Sequence, residues 1–214
     1  MNWRRAVRLL FWIALVCAVL VGVVMIFFET WTVPGDDPQF AVSIEPALSV
    51  GDFVLVSRSS GGTGDGALVR CTDPDAPTRS VVGRVVGEPG DTVEFTNGLL
   101  LVNKKTPSAS VACDPATVHL KNPGTQEDEE LACFLEELGG STHPALRTAK
   151  NFPGRDTNAE VEPGKVFLVS DNRPMHLDSR DFNTVAPGSC HRIALRLWSA
   201  AGWSDAKKRL TVLW

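Results

Sequence analysis

A serine hydroxyl is a poor nucleophile until a neighbouring base takes its proton and a third group orients that base. In this 214-residue chain the serine best placed for such work is Ser43, in the string AVSIEPALSVGDFVLV. It opens SIEPAL, where Pro46 restricts the backbone before VGDFVLV runs into a sheet. Taken alone, a serine ahead of a strand is an ordinary turn residue. A second string, GRVVGEPGD, starts at Gly83 and continues with Arg84. Neither is a base, because glycine has no side chain and a guanidinium keeps its proton at any relevant pH. A third string, SDNRPMHLDSRDF from 170 to 182, is dense in polar groups. Its plain explanation is a network of Asp171, Asn172, Asp178 and Arg180 that pins loops by charge-assisted hydrogen bonds.

The elements that must position these residues begin with a membrane anchor. Leu9–Phe28 is a run of 20 uncharged, mostly apolar residues, about 30 Å long as a helix and so matched to a bilayer core. A cleaved secretory signal is the competing reading, but the run exceeds a typical signal core and MIFFETW offers no small-residue cleavage site. Arg4, Arg5 and Arg8 precede the span, whereas Glu29, Asp36 and Asp37 follow it. The positive-inside rule then puts residues 1–8 in the cytoplasm and 29–214 outside. Removing those three arginines leaves 18 Lys+Arg against 25 Asp+Glu, a balance of −7 for the exported part. That charge argues against a nucleic-acid partner.

With Cys17 in the span, Cys71, Cys113, Cys133 and Cys190 remain for the domain, which fits an oxidising compartment. Three pairings are possible, and Cys113 with Cys133, which bracket one insert, is the first guess. No pair has C-x-x-C spacing and the four histidines are scattered, so no metal site is expected.

Beyond the VPGDDP linker the chain reads as mainly β. FVLVS, VVGRVVG, TVEF, LLLVN, KVFLVS and RIALRLW are all β-branched or alternating runs between turns. The one helical candidate after the anchor is EDEELACFLEEL, opened by acidic residues and closed by Gly139 and Gly140. It lies in a stretch, about 106–160, that reads as an insert. In the last segment Trp198, Trp203 and Trp214 suit either a membrane interface or a β core.

In order and spacing the three strings resemble the boxes of type I signal peptidases, the S26 serine endopeptidases that trim exported preproteins. The first box of that family reads Ser, Met, any residue, Pro, Thr, Leu, then a Gly-Asp turn. Here it is Ser43, Ile44, Glu45, Pro46, Ala47, Leu48, then Gly51 and Asp52. Many members carry an oxyanion-holding serine two residues earlier, where this chain has Ala41, so the backbone N–H of Ser43 is left as donor. The second box is Lys-Arg-Val-Val-Gly-x-Pro-Gly-Asp, and eight of its nine positions fit Gly83 to Asp91. The failing position is the lysine, the family's general base, which Gly83 replaces. The third box is similar to Ser170–Arg180, with His176 at a position where relatives have a serine beside that lysine.

The resemblance implies a mainly β fold, with one transmembrane helix followed by an antiparallel signal-peptidase-like domain. It implies a single-pass protein of the bacterial inner membrane and no cofactor. Its partners would be exported preproteins, bound in β-strand fashion and cut after small residues of the Ala-X-Ala kind. It puts Ser43 as nucleophile and His176 beside the gap that Gly83 leaves. There an imidazole would reach Ser43 through one ring nitrogen and be oriented by Asp178 through the other. The eukaryotic branch is similar in using a histidine base, though at the lysine position itself. A protein that binds exported substrates without cleaving them is the alternative, and Lys165 is another candidate base. His143 matches the family by local pattern but is not expected at the nucleophile, and Lys104, Lys105 and His119 read as solvated loop residues.

Overall fold

The computed structural model describes residues 3–61, 64–96, 98–148 and 157–213, so Trp214 lies outside the described residues. Helix α1 (Trp3–Phe27) leads into β1 (Phe28–Thr32), a short helix α2 (Pro38–Ser43), β2 (Phe53–Ser60), β3 (Leu68–Thr72), β4 (Ser80–Gly87), β5 (Thr92–Thr96) and β6 (Leu99–Val102). There follow β7 (Ser108–Lys121), β8 (Asp128–Leu138), β9 (Ser141–Arg147), β10 (Thr157–Glu160), β11 (Phe167–Val169), helix α3 (Ser179–Phe182), β12 (Cys190–Trp198) and β13 (Thr211–Val212). The domain is mainly β, and all its paired strands run antiparallel, as the alternating runs led us to expect.

Within α1, Val7–Phe27 is apolar and long enough to cross a membrane, and none of its most apolar window is covered by the rest of the chain. The helix stops one residue short of the expected Phe28, which already pairs with Ser57 in β2. Arg58 explains the stop. Its Nε donates to the carbonyls of Met25 and Phe28, both at 3.1 Å, satisfying the carbonyl groups that a helix end leaves open.

Seven strands form the main sheet, in the order β1-β2-β12-β3-β4-β11 with β13 on β12; β10-β5-β6 and β7-β8-β9 form two smaller sheets. Val54, Val56, Leu68, Val82 and Ile193 of the main sheet pack with Phe40, Ile44 and Leu48. A second cluster, with Val69, Val81, Val85 and Leu168, packs against Phe182 and Val185. Two disulfides cross-link the domain. Cys113 pairs with Cys133, the favoured pairing, and Cys71 with Cys190, which face each other across β3 and β12.

The helix expected at EDEELACFLEEL is instead β8, the middle strand of the small β7-β8-β9 sheet. Leu131 and Cys133 alternate inward to a core with Leu146 and Met175, and this period of two outweighs the acidic helix-start signal. Gly139 and Gly140 do not cap a helix. Both have positive φ, 56° and 75°, and form the two-residue turn between Leu138 and Ser141, the geometry that tight hairpins need.

Candidate active site

The nucleophile candidate sits at the end of α2 rather than in a turn before a strand. Asp37 caps this helix, its Oδ1 accepting from Gln39 N at 2.9 Å and Phe40 N at 3.1 Å, while Arg79 reaches its Oδ2 at 3.3 Å. Phe40 and Ile44 sink into the main core, and Val42 leans on the core of the β7-β8-β9 sheet. Ser43 is therefore held at a seam between two cores and is fully buried. Its Oγ donates to the Phe40 carbonyl at 2.9 Å, the local back-bond that serines make in helices. An attack on a substrate must first release that bond.

Gly83 lies inside β4, opposite Val69 of β3. The gap expected for His176 beside a missing lysine is not seen at the root of that side chain. A Cβ built on Gly83 would meet the Leu168 Cβ and the Val169 carbonyl oxygen at the end of β11, both at 3.2 Å, so a side chain there would press on β11. Gly83→Ala is expected to cost about 1–3 kcal/mol by overpacking, measured by chemical denaturation, and Gly83→Lys carries the same crowding at its root. β11 ends opposite Arg84, so among the described residues 80–83 of β4 have no strand on that side.

His176 is partly covered, its side chain 21% exposed. Its Nδ1 lies 2.8 Å from Asp181 Oδ2, and no hydrogen bond joins it to Ser43 among the described residues. An ionised carboxylate accepts, so Nδ1 carries the proton and Nε2 is the basic nitrogen. Asp181, which sequence reasoning did not single out, is thus the carboxylate on the imidazole, and Asp178 is not. Asp178 caps α3 instead. Both its oxygens hold Arg180, at 2.9 and 2.7 Å, and Oδ2 also accepts from Ser170 N at 2.8 Å. Burial pushes the Asp178 carboxyl up, but the Arg180 charge and hydrogen bonds, the His176 charge and the Ser170 N–H together hold it at about 2.

The capping pattern Asp178-x-x-Asp181 was the available signal. Asp181 Oδ2 accepts from Asp178 N at 3.0 Å, completing a capping box. One ligand atom each from His176, Asp178 and Asp181 come within 4.8 Å of one another, yet Arg180 already neutralises the middle carboxylate.

Behind this loop lies a buried ion cluster that the sequence did not reveal. Glu136, on β8, bonds Arg173 through Oε2 and Arg147 through Oε1, the latter at 2.7 Å, and His143 Nε2 lies 3.5 Å away. Burial pushes the Glu136 carboxyl up, but Arg173, His143 and Arg147 outweigh it and hold it at about 2. Burial pushes the His143 imidazole below its ordinary value, against the pull of Glu136. Arg173 Nε donates to the Ser170 carbonyl at 3.0 Å, and Arg84 pairs with Asp171 at 2.7 Å, so the cluster braces the loop that carries His176. Lys165 is elsewhere, lining a surface hollow with Asp73, Pro77 and Val185. His119, Lys104 and Lys105 are exposed.

The sequence profile of a family described as signal peptidase, peptidase S26, matches residues 4–195. Among curated proteins, a signal peptidase I of Pseudomonas fluorescens is 29% identical over 155 residues, covering 64% of this chain and 51% of its own. A signal peptidase IB of Staphylococcus aureus is 27% identical over 163 residues, 73% of each chain. The chain thus spans about half the length of its Pseudomonas relatives. Among solved structures, a signal peptidase I of Enterococcus faecalis is similar at 19% identity with a TM-score of 0.39, over 63% of this chain and 98% of that one. With the profile running through Ser43, Gly83 and His176 alike, the chain belongs to the signal peptidase family of S26 serine peptidases.

Proposed function

We propose that the protein is a membrane-anchored serine endopeptidase that removes signal peptides from exported preproteins after small residues of the Ala-X-Ala kind, with His176 in place of the usual lysine. The observation that carries the reading is the family match across residues 4–195, which takes in all three boxes. Residues 1–8 face the cytoplasm, α1 spans the bacterial inner membrane and the β domain works outside, on the positive-inside argument from Arg4, Arg5 and Arg8.

A preprotein segment adds as a strand along the unpaired side of residues 80–83, next to the helix that carries Ser43. Catalytic hydrogen bonds in substrate-free enzymes are often unformed and tighten on binding. On binding, Ser43 Oγ leaves the Phe40 carbonyl and attacks the scissile carbonyl carbon while its proton passes to His176 Nε2. Asp181 holds Nδ1–H and stabilises the imidazolium. The Ser43 N–H, freed as the last turn of α2 opens, steadies the oxyanion. The imidazolium then protonates the leaving amine, and water, deprotonated by the same nitrogen, releases the acyl group from Ser43.

The test is cleavage of an Ala-X-Ala preprotein by the full chain in detergent. Wild type is expected to cut and Ser43→Ala to lose at least about 10³-fold in kcat; equal cutting by both sinks the reading.

A further inference from the structure

Asn172 is fully buried one residue past Asp171, and the sequence alone placed it in the Asp171, Asp178, Arg180 network. Among the described residues its hydrogen bonds go elsewhere. Its side-chain Nδ2 donates to the Val42 carbonyl at 2.9 Å and its backbone N–H donates to the Ser43 carbonyl at 3.2 Å. Its Oδ1 accepts from Met175 N at 3.1 Å, closing the turn that leads into His176. One residue therefore grips the backbone on both sides of the Ser43 N–Cα unit and shapes the approach to the imidazole. A second tie runs the same way, from Gln39 Nε2 on α2 to the His176 carbonyl at 2.8 Å.

We propose that Asn172 is a positioning residue of the peptidase reaction, fixing the Ser43 end of α2 against the His176 loop so that nucleophile and base meet in register. The inference rests on the peptidase reading. A helix of six residues has little stability of its own, and its last carbonyls need donors from outside. What those donors belong to decides where the last residue sits. Here the Val42 carbonyl, which also accepts from Glu45 N at 3.3 Å, and the Ser43 carbonyl both take a donor from the residue that also folds the turn before His176, so α2 and the loop are tied together. A shift of about 1 Å between reacting groups is enough to cost about 10²-fold in rate.

The test compares wild type with Asn172→Ala, Asn172→Asp and Gln39→Ala in two assays: preprotein cleavage, and labelling of Ser43 by a small fluorophosphonate that needs no peptide groove. Thermal unfolding sets the folded fraction of each. Asn172→Asp keeps the acceptor for Met175 N but loses the donor to Val42. Both Asn172 variants are expected to lose about 10²-fold in kcat with KM within about threefold, and labelling should slow by the same factor. Gln39→Ala should show the same split with a smaller loss. Folded Asn172 variants with wild-type kcat, or whose loss is all in KM, overturn the inference alone. If they do not fold, Gln39→Ala decides: wild-type kcat and labelling there overturn it. A wild type that neither cleaves nor labels overturns the peptidase reading, and this inference with it.

Discussion

His176→Ala is expected to lower kcat for preprotein cleavage by about 10³-fold, while the melting temperature changes little. The two halves of this expectation come from different features of the site. The ring is partly open to solvent and its side-chain hydrogen bond goes to one partner, Asp181, so removing it empties no core. Among the described residues of the 170–178 loop, which is tied to the helix carrying Ser43, it is the one whose side chain offers a nitrogen that can take a proton. Asp181→Asn should cost less, about 10–10²-fold, because the ring keeps a hydrogen-bond partner but loses the charge that stabilises its protonated form. Cleavage by His176→Ala at the wild-type rate would remove the histidine from the mechanism and leave Ser43 in place.

Glu136→Ala is expected to destabilise the folded domain by about 3–5 kcal/mol, because removing one partner strands buried charge. Arg173 is nearly fully buried and Arg147 partly so, and both would lose their carboxylate. The damage should reach the active site, since Arg173 holds the Ser170 carbonyl next to the His176 loop.

The same cluster sets an acid limit. Glu136 has its folded value, about 2, below its ordinary 4.5, so its contribution is present above 4.5 and is lost as pH falls toward 2. His143 is also held below its ordinary 6.5. The unfolded chain therefore takes up that proton first, and stability declines as pH drops below 6.5. The groups facing these two are Arg84, Arg147, Asp171 and Arg173. Melting temperature should fall in two stages, one beginning near pH 6.5 and absent in a folded His143→Gln variant, the other below 4.5. A melting temperature level from pH 7 to 3 would contradict this assignment.

The strands around the site were legible because each buries one or both faces and so writes a period of two into the sequence. Every run singled out, from FVLVS to RIALRLW, lies in a strand or extends one. The acidic residues of β8 were misleading because one of them, Glu136, faces inward to arginines supplied by β9 and the 170–178 loop, a partnership no local pattern records. Gly83 was legible as a replaced base but not as a packing residue. Its neighbours Leu168 and Val169 arrive from 85 residues downstream, and their closeness is a matter of sheet geometry. By sequence Asp178 lies two residues from His176 and Asp181 five, so proximity favoured the wrong one of the two. Only the capping box decides between them, by turning Asp178 toward Arg180 and Asp181 toward the ring. The short helix α2 was hidden between the VPGDDP linker, which ends at Pro38, and Pro46, which restricts the backbone before the next strand.

On the proposed reading Ser43 is the nucleophile of a signal peptidase that works without the lysine. This role is tested most directly by peptide mapping after reaction of the full chain, in detergent, with a fluorophosphonate, alongside preprotein cleavage by the same sample. One adduct is expected, on Ser43, formed in step with loss of cleavage and slowed in His176→Ala. Continued cleavage by a fully labelled protein, or an adduct on another serine that alone abolishes cleavage, would contradict it.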